Sequence, residues 1–322
     1  HLNFVDDRQV EAFCKEVAKS EPDAVLLSGD IADAPSLEKY HLALSGQLER
    51  PIYFVLGNHD FYGSSIAAVR AKVELHSRKD PWLHWLNVSG IVELTQQTAL
   101  VGHDSWADGR LGAGVHSPVM LNDFFAIREL SSLSQEDRFA TLRALGDEAA
   151  AYFRDVLPKA FDRFPRVVLL THVPPFRESC WHEGHISDDD YLPHFTCKAV
   201  GDVLQEVMEA RPDRDLTVLC GHTHGEGFTP DATCLECHRT TRGSGGYRRQ
   251  VVENAGDGGG DFVLNTHHVS NGTTTEVVTE ADCEVCHDQT NHMTYSDGVS
   301  VLLKDPSGGP SIVYDGTAAS AE

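Results

Sequence analysis

The chain has 322 residues, 49 of them acidic and 26 basic, for a formal net charge of -23. That balance repels nucleic acid and anionic membrane surfaces, so no nucleic-acid-binding surface is expected, and it suits a protein that holds cations. Hydrophobic content of 41% is that of a globular chain long enough for two domains, and no apolar run approaches the roughly 20 residues of a membrane helix.

In chain order, a helix is predicted over Asp7 to Ser20, where Val10, Phe13, Cys14 and Val17 recur at helical spacing. A short buried strand over 23–28, a helix over 36–48, the apolar strand Ile52 to Leu56 and a helix over 64–75 follow. This alternation predicts an α/β fold, a largely parallel sheet with helices on its faces. From 82 to 102 the pattern changes to short strands, Gly90 to Leu94 and Thr98 to Val101, which suggest a second sheet packed on the first. A long helix over Ser134 to Phe161 opens on the cap-like Ser134-Gln135-Glu136-Asp137. The strand Arg166 to Leu170 comes next, then a loop-like stretch from 172 to 196, a helix over Lys198 to Ala210 and a last strand over Leu216 to Cys220. After Gly227 the periodicity fades and Gly, Thr, Asn and Asp rise. The chain therefore divides into a domain over 1–230 and a segment over 231–322 whose apolar runs are too short for a core of its own.

Four predicted strands end on residues that can ligate metal. Ala24 to Leu27 runs into Ser28-Gly29-Asp30-Ile31-Ala32-Asp33, and Ile52 to Leu56 into Gly57-Asn58-His59-Asp60. Arg166 to Leu170 runs into Thr171-His172, and Leu216 to Cys220 into Gly221-His222-Thr223-His224. The carboxyl ends of strands are where open α/β sheets place their chemistry. Four of them delivering Asp, Asn and His to one rim suit a pair of divalent cations.

In this order and spacing the four motifs resemble those of the calcineurin-like metallophosphoesterase family over about residues 1–230. The resemblance implies a four-layer α/β/β/α sandwich and metal-dependent hydrolysis of a phosphate ester. Asp30 would place one carboxylate oxygen on each cation, since two cations about 3.5–4 Å apart need an anion between them. Asn58, His172 and His222 would ligate one metal, and His1 and His224 the other. Mixed nitrogen and oxygen ligation suits Mn, Fe or Zn better than Ca or Mg. His59 is the expected proton donor to the leaving oxygen, with Asp60 orienting its imidazole. The family's Asp-x-His motif would put an Asp two residues before His1, so the sequence reads as a truncated or processed product with one carboxylate fewer at the first metal. Asp33 is expected behind the ligands, His103-Asp104 either lining the site or in a surface turn, and His182, His185 and His194 on a lid, either touching substrate or simply exposed to solvent. His41, His76 and His84 are expected to be structural or exposed.

The eight cysteines fall into two groups. Cys14, Cys180, Cys197 and Cys220 are scattered and suit buried thiols of a reduced, cytoplasmic compartment. The other four form Cys234-Leu235-Glu236-Cys237-His238 and Cys283-Glu284-Val285-Cys286-His287. Two Cys-x-x-Cys-His motifs are the mark of covalent c-type haem, two thiols bonding the porphyrin and the adjacent His ligating iron. The segment resembles a piece of a multihaem c-type cytochrome, with two haem c groups, His238 and His287 as axial ligands, and His267, His268 and His292 as candidates for the distal positions. It would serve a redox partner and would be loaded in a periplasmic or extracellular setting. A zinc site built from the four cysteines is the competing reading.

Overall fold

A computed structural model describes residues 1–182, 185–224, 301–303 and 312–314. The chain divides into two units, His1–Gly227 and Phe228–Glu322. In the second, the strands β10 (Val301–Leu303) and β11 (Ile312–Tyr314) pair antiparallel. The predicted haem residues Cys234, Cys237, His238, His267, His268, Cys283, Cys286, His287 and His292 lie outside the described residues.

The first unit opens with α1 (Asp7–Lys19), whose start is fixed by a capping box. The Asp6 carboxylate accepts from the Gln9 amide, and the Gln9 side chain accepts in return from the Asp6 amide. Then come β1 (Val25–Leu27), α2 (Leu37–Leu48), β2 (Ile52–Phe54), α3 (Ile66–Ser77), β3 (Leu83–Trp85) and the single turn α4 (Leu86–Ser89). Strands β1, β2 and β3 form a parallel three-stranded sheet in that order. The second half contributes β4 (Val92–Thr95), β5 (Thr98–His103), the turn α5 (Asp123–Ala126), the long α6 (Gln135–Phe161) and β6 (Arg166–Thr171). It ends with β7 (Trp181–His182), β8 (His185–Ile186), the turn α7 (Leu192–Phe195), α8 (Lys198–Glu209) and β9 (Asp215–Leu219). The second sheet has the order β4-β5-β6-β9, antiparallel at its β4 edge and parallel elsewhere.

Alternation along the strands decides what each sheet face meets. Ile52 and Phe54 are fully buried in one core with Val10 of α1, Leu44 of α2 and Val69 of α3. Tyr53, between them, packs with Leu100 of β5 and Leu170 of β6, which joins the two sheets. Ala99 and Val101 of β5 and Val167 and Leu169 of β6 face the other way, into a core with Phe153 of α6 and Val203 of α8. Each fully buried Phe or Ile contributes on the order of 1.5–3 kcal/mol, so the period-two pattern pins the register. A one-residue slip would turn every one of these side chains to the wrong face.

Register also sets the rim. Leu27 is level with Phe54 in the first sheet, and Leu170 with Leu219 in the second. The segments that follow therefore leave the sheets side by side. The four strand ends expected at one rim come from both sheets, β1 and β2 from the first and β6 and β9 from the second. The strand β3 was not anticipated, and the stretch from 172 to 196 holds the β7–β8 hairpin and α7 rather than loop alone. Among the described residues no helix is long and apolar enough to cross a membrane.

Candidate metal centre

Glycines bring the backbone of the two sheets close enough for their side chains to meet. Gly57 follows β2, and a Cβ there would overlap Asp30 Oδ1 and come within 2.5 Å of His172 Cε1. Gly29 adopts φ +95°, and its Cβ would stand 2.7 Å from His172 Nδ1. Asp30, His222 and His224 themselves hold left-handed backbone, at φ +55°, +73° and +55°. Non-glycine residues in that region cost of the order of 1–3 kcal/mol each and persist where their surroundings enforce them.

Asp60 does the enforcing at the first loop. It is fully buried, and its carboxylate accepts four backbone N–H groups, from Asp30, Ile31, Ala32 and Gly57, at 2.8–2.9 Å. This corrects the expectation that Asp60 orients the His59 imidazole. Both of its oxygens are turned inward, where they fold the loop carrying Asp30 against the one carrying Asn58. Asp104 plays the matching part for the second sheet. Its carboxylate accepts from the Leu56 amide at 2.7 Å, Trp85 Nε1 at 2.9 Å and Asn87 Nδ2 at 2.9 Å, while its carbonyl accepts the His172 amide. His103 and Asp104 are thus buried braces, not a surface turn.

Side-chain hydrogen bonds then fix which atoms face the centre. The His172 Nδ1–H donates to the Ser28 carbonyl at 2.6 Å, which leaves Nε2 as a lone pair. The His222 Nε2–H donates to the His194 carbonyl at 2.9 Å, which leaves Nδ1 as a lone pair. The Asn58 Nδ2 donates to Asp123 Oδ1 at 2.8 Å, so Oδ1 of Asn58 is turned the other way. These three acceptors meet: His172 Nε2 and His222 Nδ1 each stand 3.1 Å from Asn58 Oδ1 and 3.2 Å from one another. Asp30 Oδ1 is 3.5 Å from His172 Nε2. Four lone-pair atoms face one another with every available proton engaged elsewhere. Such an arrangement is repulsive unless a cation stands among them, and the donor set fits a divalent metal of the transition series.

A second cluster adjoins the first. Ligand atoms of His1, Asp30 and His59 lie within 4.8 Å of one another, as do those of Asp30, His172 and His222. His1 Nε2 is 3.9 Å from Asp30 Oδ2 and 3.3 Å from His224 Nε2. Asp30 is common to both groups, with Oδ1 toward His172 and Oδ2 toward His1. The His59 amide donates to Asp30 Oδ1 at 2.9 Å. The His59 ring lies between His1, at 4.3 Å, and Tyr62, stacked at 4.3 Å.

Electrostatics follow from this crowding. Burial pushes the Asp30 carboxyl up, but His172, His222 and His59 outweigh it and hold it below the usual carboxylate range. Burial pulls His59 down against the pull of Asp30 and Asp123. His222 is pulled down by burial and by His172. Burial, with His222 close by, brings His194 down to about 4. His194 is buried, with its ring against Phe124 and Phe139, and does not belong to an exposed lid. His182 is exposed and hydrogen-bonded to the Thr223 carbonyl at 2.9 Å. Asp33 is held by Ser36 and lines a neighbouring cavity. His41 and His76 form a buried pair on the far side of β2, joined at 2.9 Å. Cys14, Cys180, Cys197 and Cys220 are free thiols.

Asp123 and Tyr62 take part without having been singled out from the sequence as site residues, whereas His103-Asp104 was a candidate for lining the site. Asp104 carried a signal, since it directly follows β5 as the ligands follow their strands. Asp123 carried none. It meets Asn58 across 65 positions, from the start of the single turn α5, too short for a periodic pattern.

A model of the calcineurin-like phosphoesterase family matches residues 5–226, well over half of the chain. No curated protein and no solved structure matches it.

Proposed function

The chain belongs to the calcineurin-like phosphoesterase family, and from that premise we propose that it hydrolyses a phosphate ester at a two-metal centre on the rim between its sheets. The observation that carries this reading is the set of lone pairs on Asn58, His172 and His222, within 3.2 Å of one another with no proton between them, and Asp30 Oδ1 3.5 Å from His172 Nε2. In this reading Asp30, Asn58, His172 and His222 hold one cation, and His1, Asp30 and His224 the other, within a four-layer α/β/β/α arrangement. Bound there, the divalent cations supply positive charge for the phosphoryl oxygens and acidify the attacking water.

The remaining steps belong to the chain. Asn58 keeps its amide oxygen on the centre because Asp123 holds its nitrogen. Both histidines keep a fixed tautomer because carbonyls of Ser28 and His194 take their other protons. His59 lines the cavity beside both clusters and gives a proton to the departing oxygen. Its ring is kept in place by stacking on Tyr62.

The test is hydrolysis of 4-nitrophenyl phosphate and bis(4-nitrophenyl) phosphate by metal-stripped protein, before and after addition of Mn, Fe(II) or Zn. Turnover that appears with metal and is lost in Asp30→Ala supports the reading; metal-independent turnover contradicts it. A second reading, electron transfer by haem c on residues 231–322, rests on the two Cys-x-x-Cys-His motifs alone. A pyridine haemochrome spectrum of protein exported to the periplasm tests it, and absence of a haem band there ends it.

A further inference from the structure

If the centre hydrolyses phosphate esters, the leaving group departs on the His59 side, and a second cavity begins there. It has a volume of about 310 Å³ and is lined by Asn3, Phe4, Asp33, His59, Tyr62 and Asn122 among others. It shares His59, Tyr62 and Asn122 with the cavity that holds Asp30, Asn58 and His222. The two therefore adjoin across these shared walls, one placed for the phosphoryl group and one for what the phosphoryl group is attached to.

Three rings, Phe4, His59 and Tyr62, stand in the wall of this second cavity, and His1, outside its lining, connects the first two. Phe4 lies 5.4 Å from His1, His1 lies 4.3 Å from His59, and His59 stacks on Tyr62 at 4.3 Å and 28°. Phe4 is 71% exposed, an apolar ring left at the mouth of a cavity. Flat side chains of this kind gain area and favourable geometry from a flat guest. Charge is distributed as unevenly as shape. Among the described residues lining either cavity there is no Lys and no Arg, whereas Asp33 lines one and Asp30 and Asp123 the other. The phosphoryl charge is met by the metal centre, and nothing here meets a second anion. An anionic leaving group would lose water beside Asp33 without gaining a partner. The volume lies at the lower end of the roughly 300–1,000 Å³ found for ligand cavities, which favours a small guest.

We infer that the substrate is a small phosphate ester whose leaving group bears a flat ring and no negative charge of its own, with Phe4, Tyr62 and Asp33 setting that choice. Esters carrying a second anion, such as nucleoside di- and triphosphates and acidic phosphopeptides, are excluded. This inference rests on the phosphoesterase reading, and the experiment separates the two.

With full-length, metal-loaded protein, kcat/KM is measured for 4-(carboxymethyl)phenyl phosphate and for its methyl ester, which match in shape and leaving-group chemistry but differ in charge. The ester is expected to be favoured about tenfold, the size of a like-charge contact across roughly 10 Å near a protein surface. Asp33→Asn should narrow that ratio, and Phe4→Ala should raise KM for the ester. Calorimetric Kd values for benzylphosphonate and 4-carboxybenzylphosphonate should show the same preference without any turnover. Equal kcat/KM for the two esters, or a ratio untouched by Asp33→Asn, overturns the substrate class and leaves the phosphoesterase reading standing. Turnover of bis(4-nitrophenyl) phosphate but of neither ester overturns the substrate class alone, and no turnover of any of the three by protein with both metals bound overturns the reading and this inference with it.

Discussion

Replacing Asp123 by Ala isolates the contribution of a residue that stands behind the centre. Asp123 is buried, and its Oδ1 accepts from Asn58 Nδ2 at 2.8 Å and from Tyr62 OH at 2.5 Å. Without that acceptor the Asn58 nitrogen keeps only a long bond to the Tyr62 hydroxyl at 3.3 Å, and it can turn into the centre instead. A hydrogen bond to a charged group contributes roughly 1.5–3 kcal/mol. Spent on orienting a ligand, that is about 10- to 100-fold in metal affinity, the loss usual for such outer partners. Competition with a fluorescent chelator, read with Mn or Zn, gives the affinity directly, and circular dichroism checks that the fold is intact. Tyr62→Phe removes one donor but keeps the Asn58–Asp123 bond, so it should cost much less. An Asp123→Ala protein that is folded and binds metal as tightly as the parent would refute the claim that Asp123 sets the Asn58 orientation.

Asp60→Ala should lower stability by at least about 3 kcal/mol, because the amides of Asp30, Ile31, Ala32 and Gly57 lose their acceptor in a buried place. Urea unfolding reads this, and a parent-like midpoint with selective loss of turnover would return Asp60 to a catalytic role. Gly57→Ala should abolish metal binding, since its Cβ would overlap Asp30 Oδ1; retained metal content would contradict the packing described. Burial and neighbouring His76 bring His41 down to about 3, below the roughly 6.5 of an unfolded chain. The fold binds it neutral, so its contribution is complete above about pH 6.5 and is lost as pH falls toward 3, by an order of a few kcal/mol. His41→Gln should flatten the stability profile between about pH 4 and 6.5, and a parallel profile would show that the pair is not responsible.

The motifs that carry the centre were legible because their physics is local. Asp30, Asn58, His172 and His222 each follow an apolar strand within a few residues, and polar ligands after such a strand are conspicuous in a sequence. The helices α1, α2, α6 and α8 were legible for a similar reason, through spacing and caps such as Ser134, whose Oγ accepts the Asp137 amide. Which strand end belongs to which sheet was not, because partner choice depends on long-range pairings such as Leu170 with Leu219. The strand β3 is three residues long and reads Leu83-His84-Trp85, too short for a period to show. The inward turn of Asp60 arises from the tight helical turn His59–Phe61, which reverses the chain just after Asn58. Asp123 and the His194 carbonyl act only through contacts distant in sequence, 65 positions from Asn58 and 28 from His222.

Crystals of the full chain soaked in Mn²⁺, with anomalous scattering recorded above the manganese absorption edge, test the central claim most directly. Two peaks are predicted on either side of the Asp30 carboxylate, one among Asn58, His172 and His222, the other beside His1 and His224. No peak at Asp30, with manganese bound elsewhere or not at all, would contradict a two-metal centre at this rim and the hydrolysis derived from it.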